Sequence, residues 1–221
     1  MIDWAWVVDH LDDLAYRTVQ HLYLAGIAIA IGFAISFALA LWSVRRRAVY
    51  GPIVAVTGIA YTIPSVAMIA LLVPITGLSI ATAEVPLILY SLLIFIRNIV
   101  AGFDSVPADV LEAADGMGYP RDRRLWRIEL PLAIPLVFAG VRLATVSTIG
   151  LVTVTAILGD RFGGLGFFIL EGYRHSFPTE ILFGAIPSIL LAVGADLLLV
   201  RLEGRMTPWR SPSIETSRAT T

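Results

Sequence analysis

Long apolar runs alternate with short polar segments along the whole chain. A transmembrane helix needs about 20 mostly apolar residues to cross about 30 Å of hydrocarbon. Five runs reach or approach that length, and they cover residues 22–42, 53–73, 86–102, 132–158 and 181–200. The pattern therefore predicts an all-α integral membrane protein with about five transmembrane helices, folded as a single domain over residues 1–221.

The composition excludes a soluble domain. Hydrophobic residues make up 57% of the chain and charged residues 15%, whereas a typical soluble domain is about 25% charged. The mean hydropathy is +0.83. The chain has no cysteine, which excludes a disulfide framework, a thiolate metal site and a cysteine nucleophile.

The sequence carries no pattern of an ATPase or of a metalloenzyme. The chain contains no lysine, so it lacks the Walker A loop that holds nucleotide phosphates in many ATPases. The histidines do not have the spacing of zinc ligands; they are His10, His21 and His175. We therefore expect no enzymatic activity and no metal or cofactor bound by this chain.

The N-terminal segment is acidic, and its apolar residues recur at helical spacing. Its acids, Asp3, Asp9, Asp12 and Asp13, differ from the basic start of a signal peptide, so we expect none. Apolar residues recur between them at helical intervals, at Trp4, Val7, Val8, Leu11 and Leu14. This spacing predicts an amphipathic helix at the outer membrane surface within residues 1–20. The alternative is a loosely ordered tail.

The arginines predict the orientation. Most of them lie after the first, third and fifth runs or just before the fourth, at Arg45, Arg46, Arg47, Arg97, Arg121, Arg123, Arg124, Arg127, Arg201, Arg205, Arg210 and Arg218. The opposite side has Arg17, Arg161 and Arg174. Because cytoplasmic loops are enriched in positive charge, we expect the N-terminus outside and the C-terminus inside. The loop 104–130 and the tail 201–221 would then be cytoplasmic.

The polar loop 104–130 has the pattern of two helices joined by a turn. Asp104 or Ser105 is predicted to cap the first helix, with Pro107 in its first turn. One face of that helix is slim and apolar beside Glu112, with Val110, Ala113, Ala114 and Met117 along it. Such a face suits a groove on a partner protein, where the carboxylate would meet arginine or backbone donors.

A glycine-rich turn is predicted to end the first helix of this loop. Gly116 and Gly118 permit a positive φ, and Pro120 follows them. A second helix is then predicted over residues 121–130. Pro131 is expected to mark a change of direction into the fourth apolar run.

The spacing of seven residues in this loop resembles the EAA loop of the membrane-spanning subunits of ATP-binding-cassette (ABC) importers. They are Glu112, Ala113, Ala114, Gly118, Ile128, Leu130 and Pro131. The resemblance implies a type I importer permease in a bacterial inner membrane, with these residues coupled to a separate ATPase that binds ATP and Mg. It also implies an external solute-binding protein and a second permease subunit, identical or related. A plain amphipathic surface helix pair is the alternative for the loop.

Other segments resemble the permeases of osmoprotectant importers, which carry glycine betaine, choline or carnitine. The segments are 61–65, the apolar run to 74, 89–91 with Arg97 and Asn98, 139–144, and the tail positions Asp196, Glu203 and 206–208. One departure lies in the external segment 158–166, where Asp160, Arg161 and Phe162 replace the usual small residues. This departure leaves the outer gate and the substrate preference open.

Five residues are candidates for the translocation path: Tyr61, Pro64, Ser65, Tyr90 and Arg142. The tyrosines, and Phe95 with them, offer ring faces to a quaternary ammonium group, or they simply pack. Pro64 and Pro187 are predicted to kink helices beside a water-filled cavity. Arg142 lies too deep to face lipid, so it either pairs with a residue such as Asp196 or lines the cavity. Asp196 is expected to pair with Arg201 or with a neighbouring helix.

Two classes of function compete with an osmoprotectant importer. A permease for methionine, a sulfonate or another small polar solute is the alternative within the importer class. An ion-coupled secondary transporter is the alternative outside it, although no inverted repeat relates the halves of the chain and the few intramembrane charges lie near helix ends. A membrane scaffold without transport activity is a third reading. Because one bundle is small, a pair of subunits about a twofold axis is expected to enclose the path.

Overall fold

The computed structural model describes residues 2–208, and these residues contain helices and no strands. The helices are α1 Trp4–Asp9, α2 Leu11–Arg45, α3 Tyr50–Thr62, α4 Ser65–Thr76, α5 Ile80–Asp104, α6 Ala108–Gly116, α7 Arg121–Arg124, α8 Leu130–Val152, α9 Gly166–Arg174 and α10 Pro178–Met206. Short 3₁₀ turns cover Arg47–Val49 and Thr153–Leu158, and a π-helical turn covers Leu125–Glu129. The all-α prediction is confirmed.

Four helical stretches are long and apolar enough to cross a membrane: Leu11–Arg45, Ile80–Asp104, Arg121–Leu158 and Pro178–Met206. The predicted second span is instead a broken helix, because α3 and α4 meet at an angle of 92°. Pro64 causes the break, since the residue before a proline is driven out of the helical region. Ile63 accordingly has φ −69° and ψ 126°. With the broken pair counted as one span, the number is five, as predicted.

Helix α5 forms the centre of the fold, where it packs between α2 and α8 and also contacts α3 and α4. Two neighbouring turns of α5 place Phe95, Ile96 and Ile99 at 0% exposure. The main buried cluster includes Ala40, Leu92, Phe95, Ile96, Ile99, Ala133 and Val137. The apolar run of α5 is therefore mostly in contact with protein, whereas α10 exposes many of its apolar side chains.

Small residues let these helices approach closely, as is common in membrane bundles. A Cβ added to Gly140 of α8 would lie 2.5 Å from the Cβ of Asn98 on α5. A Cβ added to Gly32 of α2 would lie 2.1 Å from the hydroxyl oxygen of Ser91. The backbones of α2 and α8 thus lie close to side chains of α5 at positions where a residue larger than glycine would not fit.

The N-terminal helix α1 is docked onto the start of α10. Asp3 caps α1 by accepting a hydrogen bond from the Trp6 amide at 3.1 Å, and the Asp3 amide donates to Thr179 Oγ1 at 3.0 Å. The Trp6 ring stacks on His10 and meets Phe183 edge-on, with the latter centroids 5.2 Å apart. Trp4 remains 69% exposed. Within the predicted amphipathic segment 1–20, α1 covers residues 4–9 and the long helix α2 begins at Leu11, so the amphipathic surface role stays a prediction.

The C-terminal end of the fold differs in one respect from the expected tail. Helix α10 continues to Met206, so residues 201–206 extend the last membrane helix. Arg210 and Arg218 lie outside the described residues. The orientation, with the N-terminus outside, stays a prediction.

Candidate coupling surface and translocation path

The first helix of the predicted coupling loop is α6, and its start differs from the prediction. Helix α5 runs through Asp104, whose carboxylate binds Arg47, and Ser105 Oγ donates to the Gly102 carbonyl at 2.7 Å. Neither residue therefore caps α6, and the predicted cap is wrong. Pro107 itself occupies the N-cap position in an extended conformation, because a proline needs no amide partner there.

The outer face of α6 presents the centre of the EAA pattern. Glu112 and Ala113 are exposed, and Met117 is 68% exposed. The Glu112 side chain makes no hydrogen bond or ion pair with other residues in 2–208. Ala114 points the other way and is 1% exposed. The predicted apolar face is thus divided: Ala114 packs α6 against its own chain, and the other residues face outward.

The turn after α6 has the predicted geometry. Gly118 has φ +78°, a conformation that favours glycine because other residues have a Cβ that clashes there. The Met117 amide donates to the Ala113 carbonyl at 3.0 Å, and the Tyr119 amide donates to the Ala114 carbonyl at 3.1 Å. Pro120 then provides the N-cap position of α7. The chain therefore reverses within four residues.

Beyond this turn the predicted change of direction at Pro131 is wrong. Helix α7, the π-helical turn and α8 form one continuous helical stretch, Arg121–Leu158. Leu130 is helical, with φ −60° and ψ −48°, and its amide donates to the Leu125 carbonyl. The π-helical turn accommodates Pro131 in the first turn of α8, where a missing amide is tolerated. The membrane helix therefore reaches into the loop itself.

The last three residues of the EAA pattern lie at this junction. Ile128, Leu130 and Pro131 are half-buried. Ile128 and Pro131, with Arg127 and Leu132, line a surface pocket of about 360 Å³. The structure thus divides the seven predicted coupling residues: Glu112 and Ala113 are exposed on α6, Ala114 is buried and Gly118 lies in the turn. The last three are half-buried where the π-helical turn joins α8.

Ion pairs connect this loop to the membrane helices. Arg124 Nη1 lies 2.6 Å from Asp115 Oδ2, and Arg124 Nε lies 2.9 Å from Glu129 Oε1. Arg45 at the end of α2 lies 2.7 Å from Asp122. Arginine is suited to such contacts because its planar guanidinium binds two carboxylates in fixed directions. The loop is therefore held at both α2 and α8.

The helix break at Pro64 brings two of the path candidates together. The Tyr61 and Tyr90 rings meet edge-on, with centroids 5.7 Å apart. The Tyr90 hydroxyl donates to the carbonyl of Ile63, the residue at the break. Tyr90 is 6% exposed and Tyr61 is 45% exposed. Tyr90 thus satisfies a backbone group that the break leaves without a helical partner, and Tyr61 offers the accessible ring.

The remaining path candidates have structural partners. Pro64 accepts a hydrogen bond from the Met68 amide at 2.9 Å, and Ser65 is the first residue of α4. Phe95 is fully buried, with its ring 5.4 Å from that of Phe33, so it packs in the core. Helix α10 continues through Pro187 without a break.

Arg142 pairs with α10. Its Nε lies 2.7 Å from Asp196 Oδ1, its Nη2 lies 3.0 Å from Asp196 Oδ2, and its Nη1 lies 3.9 Å from Glu203 Oε2. Of the two alternatives that the sequence left open, the structure shows the pair with Asp196. Asp196 correspondingly pairs with a neighbouring helix and not with Arg201. This two-point contact joins α8 to α10.

One cluster of polar residues could not be predicted from the apolar pattern of the sequence. Gln20 on α2 accepts from the Gly164 amide at 2.8 Å and donates to the Arg161 carbonyl at 2.7 Å. Arg17 binds Asp160, and the Leu165 amide donates to His21 Nδ1 at 3.3 Å. The start of α2 therefore holds the backbone of residues 159–166, the segment that departs from the usual osmoprotectant pattern.

Glu84 is a second polar residue that the apolar pattern does not indicate, since it lies within the membrane helix α5. It is 6% exposed, and neither carboxylate oxygen has a hydrogen-bond partner within residues 2–208. No group of histidines and acids in the described residues has the arrangement of a metal site.

The fold and the loop define a class of protein: a helical membrane subunit whose short helix α6 is exposed between two long membrane helices. Residues 26–208 match the family described as the binding-protein-dependent transport system inner membrane component. Because the match covers most of the chain, the protein belongs to this family. Its predicted place in the inner membrane is confirmed, and the family is one of membrane components rather than of catalytic subunits.

Named relatives of similar length are similar to this chain in sequence. The chain is 34% identical over 208 residues to the osmoprotectant import permease protein OsmW of Salmonella typhimurium, covering 92% of this chain and 96% of that protein. It is 34% identical over 196 residues to the glycine betaine/carnitine/choline transport system permease protein OpuCB of Bacillus subtilis, covering 89% of each. The resemblance to osmoprotectant permeases is therefore confirmed over most of the chain.

Solved structures confirm the fold. A crystal structure of an amino acid ABC transporter matches with a TM-score of 0.75 and 16% identity, over 93% of this chain and 99% of that one. An inward-facing structure of the MetNI methionine ABC transporter matches with a TM-score of 0.72 and 19% identity, over 88% and 96%. At these identities the likeness shows the permease fold alone.

Proposed function

We propose that this chain is the transmembrane subunit of an ATP-driven importer for an osmoprotectant such as glycine betaine, choline or carnitine. The observation that carries the proposal is the exposed face of α6, where Glu112 has no partner within the described residues. That face is joined to a helix that continues into the membrane. The names of the relatives supply the solute class.

A separate ATPase would bind ATP and Mg and would receive α6 in a groove. Glu112 would meet arginine or backbone donors there, since a carboxylate forms strong hydrogen bonds with charged or amide donors. Ala113 keeps the inserted face slim, and Gly118 permits the turn behind it. Ile128, Leu130 and Pro131 would carry the displacement into α8, because they lie on the same continuous helical stretch.

The translocation path would lie between two permease subunits, either two copies of this chain or this chain and a relative. ATP binding would draw the two coupling loops together and favour the outward-open state, in which an external binding protein delivers its solute. Tyr61 is the accessible aromatic residue of the path candidates. Its ring face would attract a quaternary ammonium group. Arg142 would act at the α8–α10 contact and hold the wall of the path.

Two observations favour this proposal over the alternatives. The relatives named as osmoprotectant permeases are 34% identical to this chain, whereas the methionine transporter structure is 19% identical. A permease for methionine or a sulfonate therefore has less support. The family that the chain belongs to consists of binding-protein-dependent transport components. Membership in it does not support an ion-coupled carrier.

The test combines copurification with transport. The permease is expressed with the candidate ATPase and binding protein, purified, and placed in liposomes for ATP-driven uptake of labelled glycine betaine, choline and carnitine. We expect Glu112→Arg and Gly118→Trp to lose the ATPase or to stop uptake. Asp13→Arg is the matched control, because it makes the same charge change at an exposed acid near the N-terminus. Full ATPase binding and uptake in both loop variants would refute the coupling role.

A further inference from the structure

The coupling helix α6 is connected to the rest of the loop through a glycine turn. Residues 117–120 separate α6 from α7, and Gly118 lies in the middle with φ +78°. A Cβ at Gly118 would have no atom within 4 Å, so the turn is open around this residue. A force applied to α6 is resisted at the turn by local backbone hydrogen bonds, such as that from the Tyr119 amide to the Ala114 carbonyl at 3.1 Å, and by any side-chain contact that crosses it.

Arg124 provides that contact. Its Nη1 donates to both Asp115 oxygens, each at 2.6 Å, and its Nε donates to Glu129 Oε1 at 2.9 Å. Asp115 is near the end of α6, and Glu129 is the last residue of the π-helical turn. Within residues 2–208 this is the ion pair that spans the turn between α6 and α7.

Burial differs between the two ends of the contact. The side chains of Arg124 and Glu129 are 20% and 10% exposed, whereas that of Asp115 is 57% exposed. The inner end is therefore anchored. Leu125, the next residue, is 5% exposed and belongs to the main core cluster with Phe103. Arg124 thus ties the exposed end of α6 to a part of the chain that is packed into the bundle.

We propose that Arg124 is a positioning residue for energy coupling. It holds α6 at a fixed angle to the helical stretch that becomes α8, so that a displacement of α6 shifts the membrane helix and does not bend the chain at Gly118. The proposal rests on the proposed function, since it assumes an ATPase that moves α6.

The proposal predicts uncoupling without loss of the complex. In Arg124→Gln and in Asp115→Asn, the ATPase should still copurify and still hydrolyse ATP. The number of solute molecules imported per ATP should fall about fivefold, because contacts between coupled sites change coupling by factors of this order. Asp115→Glu keeps the carboxylate and should retain most of the coupling.

The experiment measures ATP hydrolysis and solute uptake in the same proteoliposomes with the wild-type ATPase. Arg123→Gln is the matched control, because Arg123 is the exposed neighbouring arginine and makes no side-chain contact within the described residues. The expected result is a low solute-to-ATP ratio for Arg124→Gln and Asp115→Asn, and a normal ratio for Arg123→Gln and Asp115→Glu.

Other outcomes separate the two proposals. Normal ratios in Arg124→Gln and Asp115→Asn would overturn the positioning role while leaving the importer intact. Absence of ATP-driven uptake in the wild-type complex would instead overturn the proposed function. If Arg124→Gln fails to fold, Asp115→Asn decides the question, because its side chain is largely exposed and its loss leaves the Arg124–Glu129 pair in place.

Discussion

Removal of the Tyr90 hydroxyl tests the account of the broken helix. Tyr90→Phe deletes one hydroxyl group and leaves the ring in place beside Tyr61. The Ile63 carbonyl, which accepts from that hydroxyl at the 92° bend, then has no side-chain donor. A buried carbonyl that loses its partner costs about 1–3 kcal/mol. Water from the path can recover part of this, so we expect about 2 kcal/mol of lost stability.

The assay is thermal unfolding of the purified permease in detergent. For a chain of this size a loss of about 2 kcal/mol corresponds to a decrease of about 4–8 °C in the melting temperature. Tyr61→Phe is the matched control, because it is the same substitution at a residue that is 45% exposed and whose hydroxyl makes no hydrogen bond in residues 2–208. The control should change the melting temperature by less than about 2 °C.

The double variant adds a second check. The two rings are in edge-on contact, and residues in contact usually show interaction energies of about 0.5–3 kcal/mol, so the deviation of the double variant from additivity measures the coupling between Tyr61 and Tyr90. Equal, small effects of the two single variants would refute the assignment of Tyr90 to the broken helix. Tyr90 would then again be a candidate for the translocation path, with its ring available to contact the solute.

Three further predictions address other parts of the fold. Glu84→Met should raise the free energy of unfolding by about 1–2 kcal/mol in denaturant titration, because it removes a buried carboxyl that has no partner in the described chain; a loss of stability with retained fold would contradict this. Gly166→Ala should destabilise by about 3 kcal/mol, since its Cβ would lie 2.1 Å from a backbone oxygen, whereas Gly150→Ala, with open space around it, should be tolerated. Gln20→Ala should speed amide hydrogen exchange at Gly164, whose amide it binds; unchanged exchange would show that other contacts hold the loop.

The segment 158–166 is held in the fold by packing and by polar contacts. Its departure from the usual osmoprotectant pattern consists of Asp160, Arg161 and Phe162. Phe162 packs against the small cluster of Ile69, Ala83 and Leu158, next to the broken helix. Asp160 and the backbone of Arg161 are held by α2. The unusual residues are therefore an integral part of the fold at this end of the bundle.

The sequence alone determined the class of protein and most of its helices. Runs of about 20 mostly apolar residues cross a bilayer as helices, because every backbone polar group is then satisfied within the segment. The pattern likewise located the glycine turn at Gly118, since its reason is local: a positive φ needs a residue without a Cβ. The break at Pro64 was also visible, although its angle of 92° was not.

Local rules failed where two signals competed. Asp104 has the right chemistry for an N-cap, but α5 continues through it and Arg47 takes its carboxylate. Pro131 has the right chemistry to end a helix, because it has no amide hydrogen to donate. The π-helical turn before it changes the hydrogen-bond pattern there, and the helix continues. In both cases the packing of a long membrane helix outweighed a preference worth about 1–3 kcal/mol.

Only the tertiary structure decided which charged and polar groups meet. Arg17 and Asp160 are 143 residues apart in the chain, and Arg142 and Asp196 are 54 apart. Such pairs follow from how the helices pack, and no periodicity along one helix encodes them. The role of Tyr90 has the same origin, since the carbonyl that it satisfies lies 27 residues away, at the break between α3 and α4. Apolar patterning determines which segments enter the membrane, because burial is summed along a helix, whereas directional contacts depend on where several helices place single atoms.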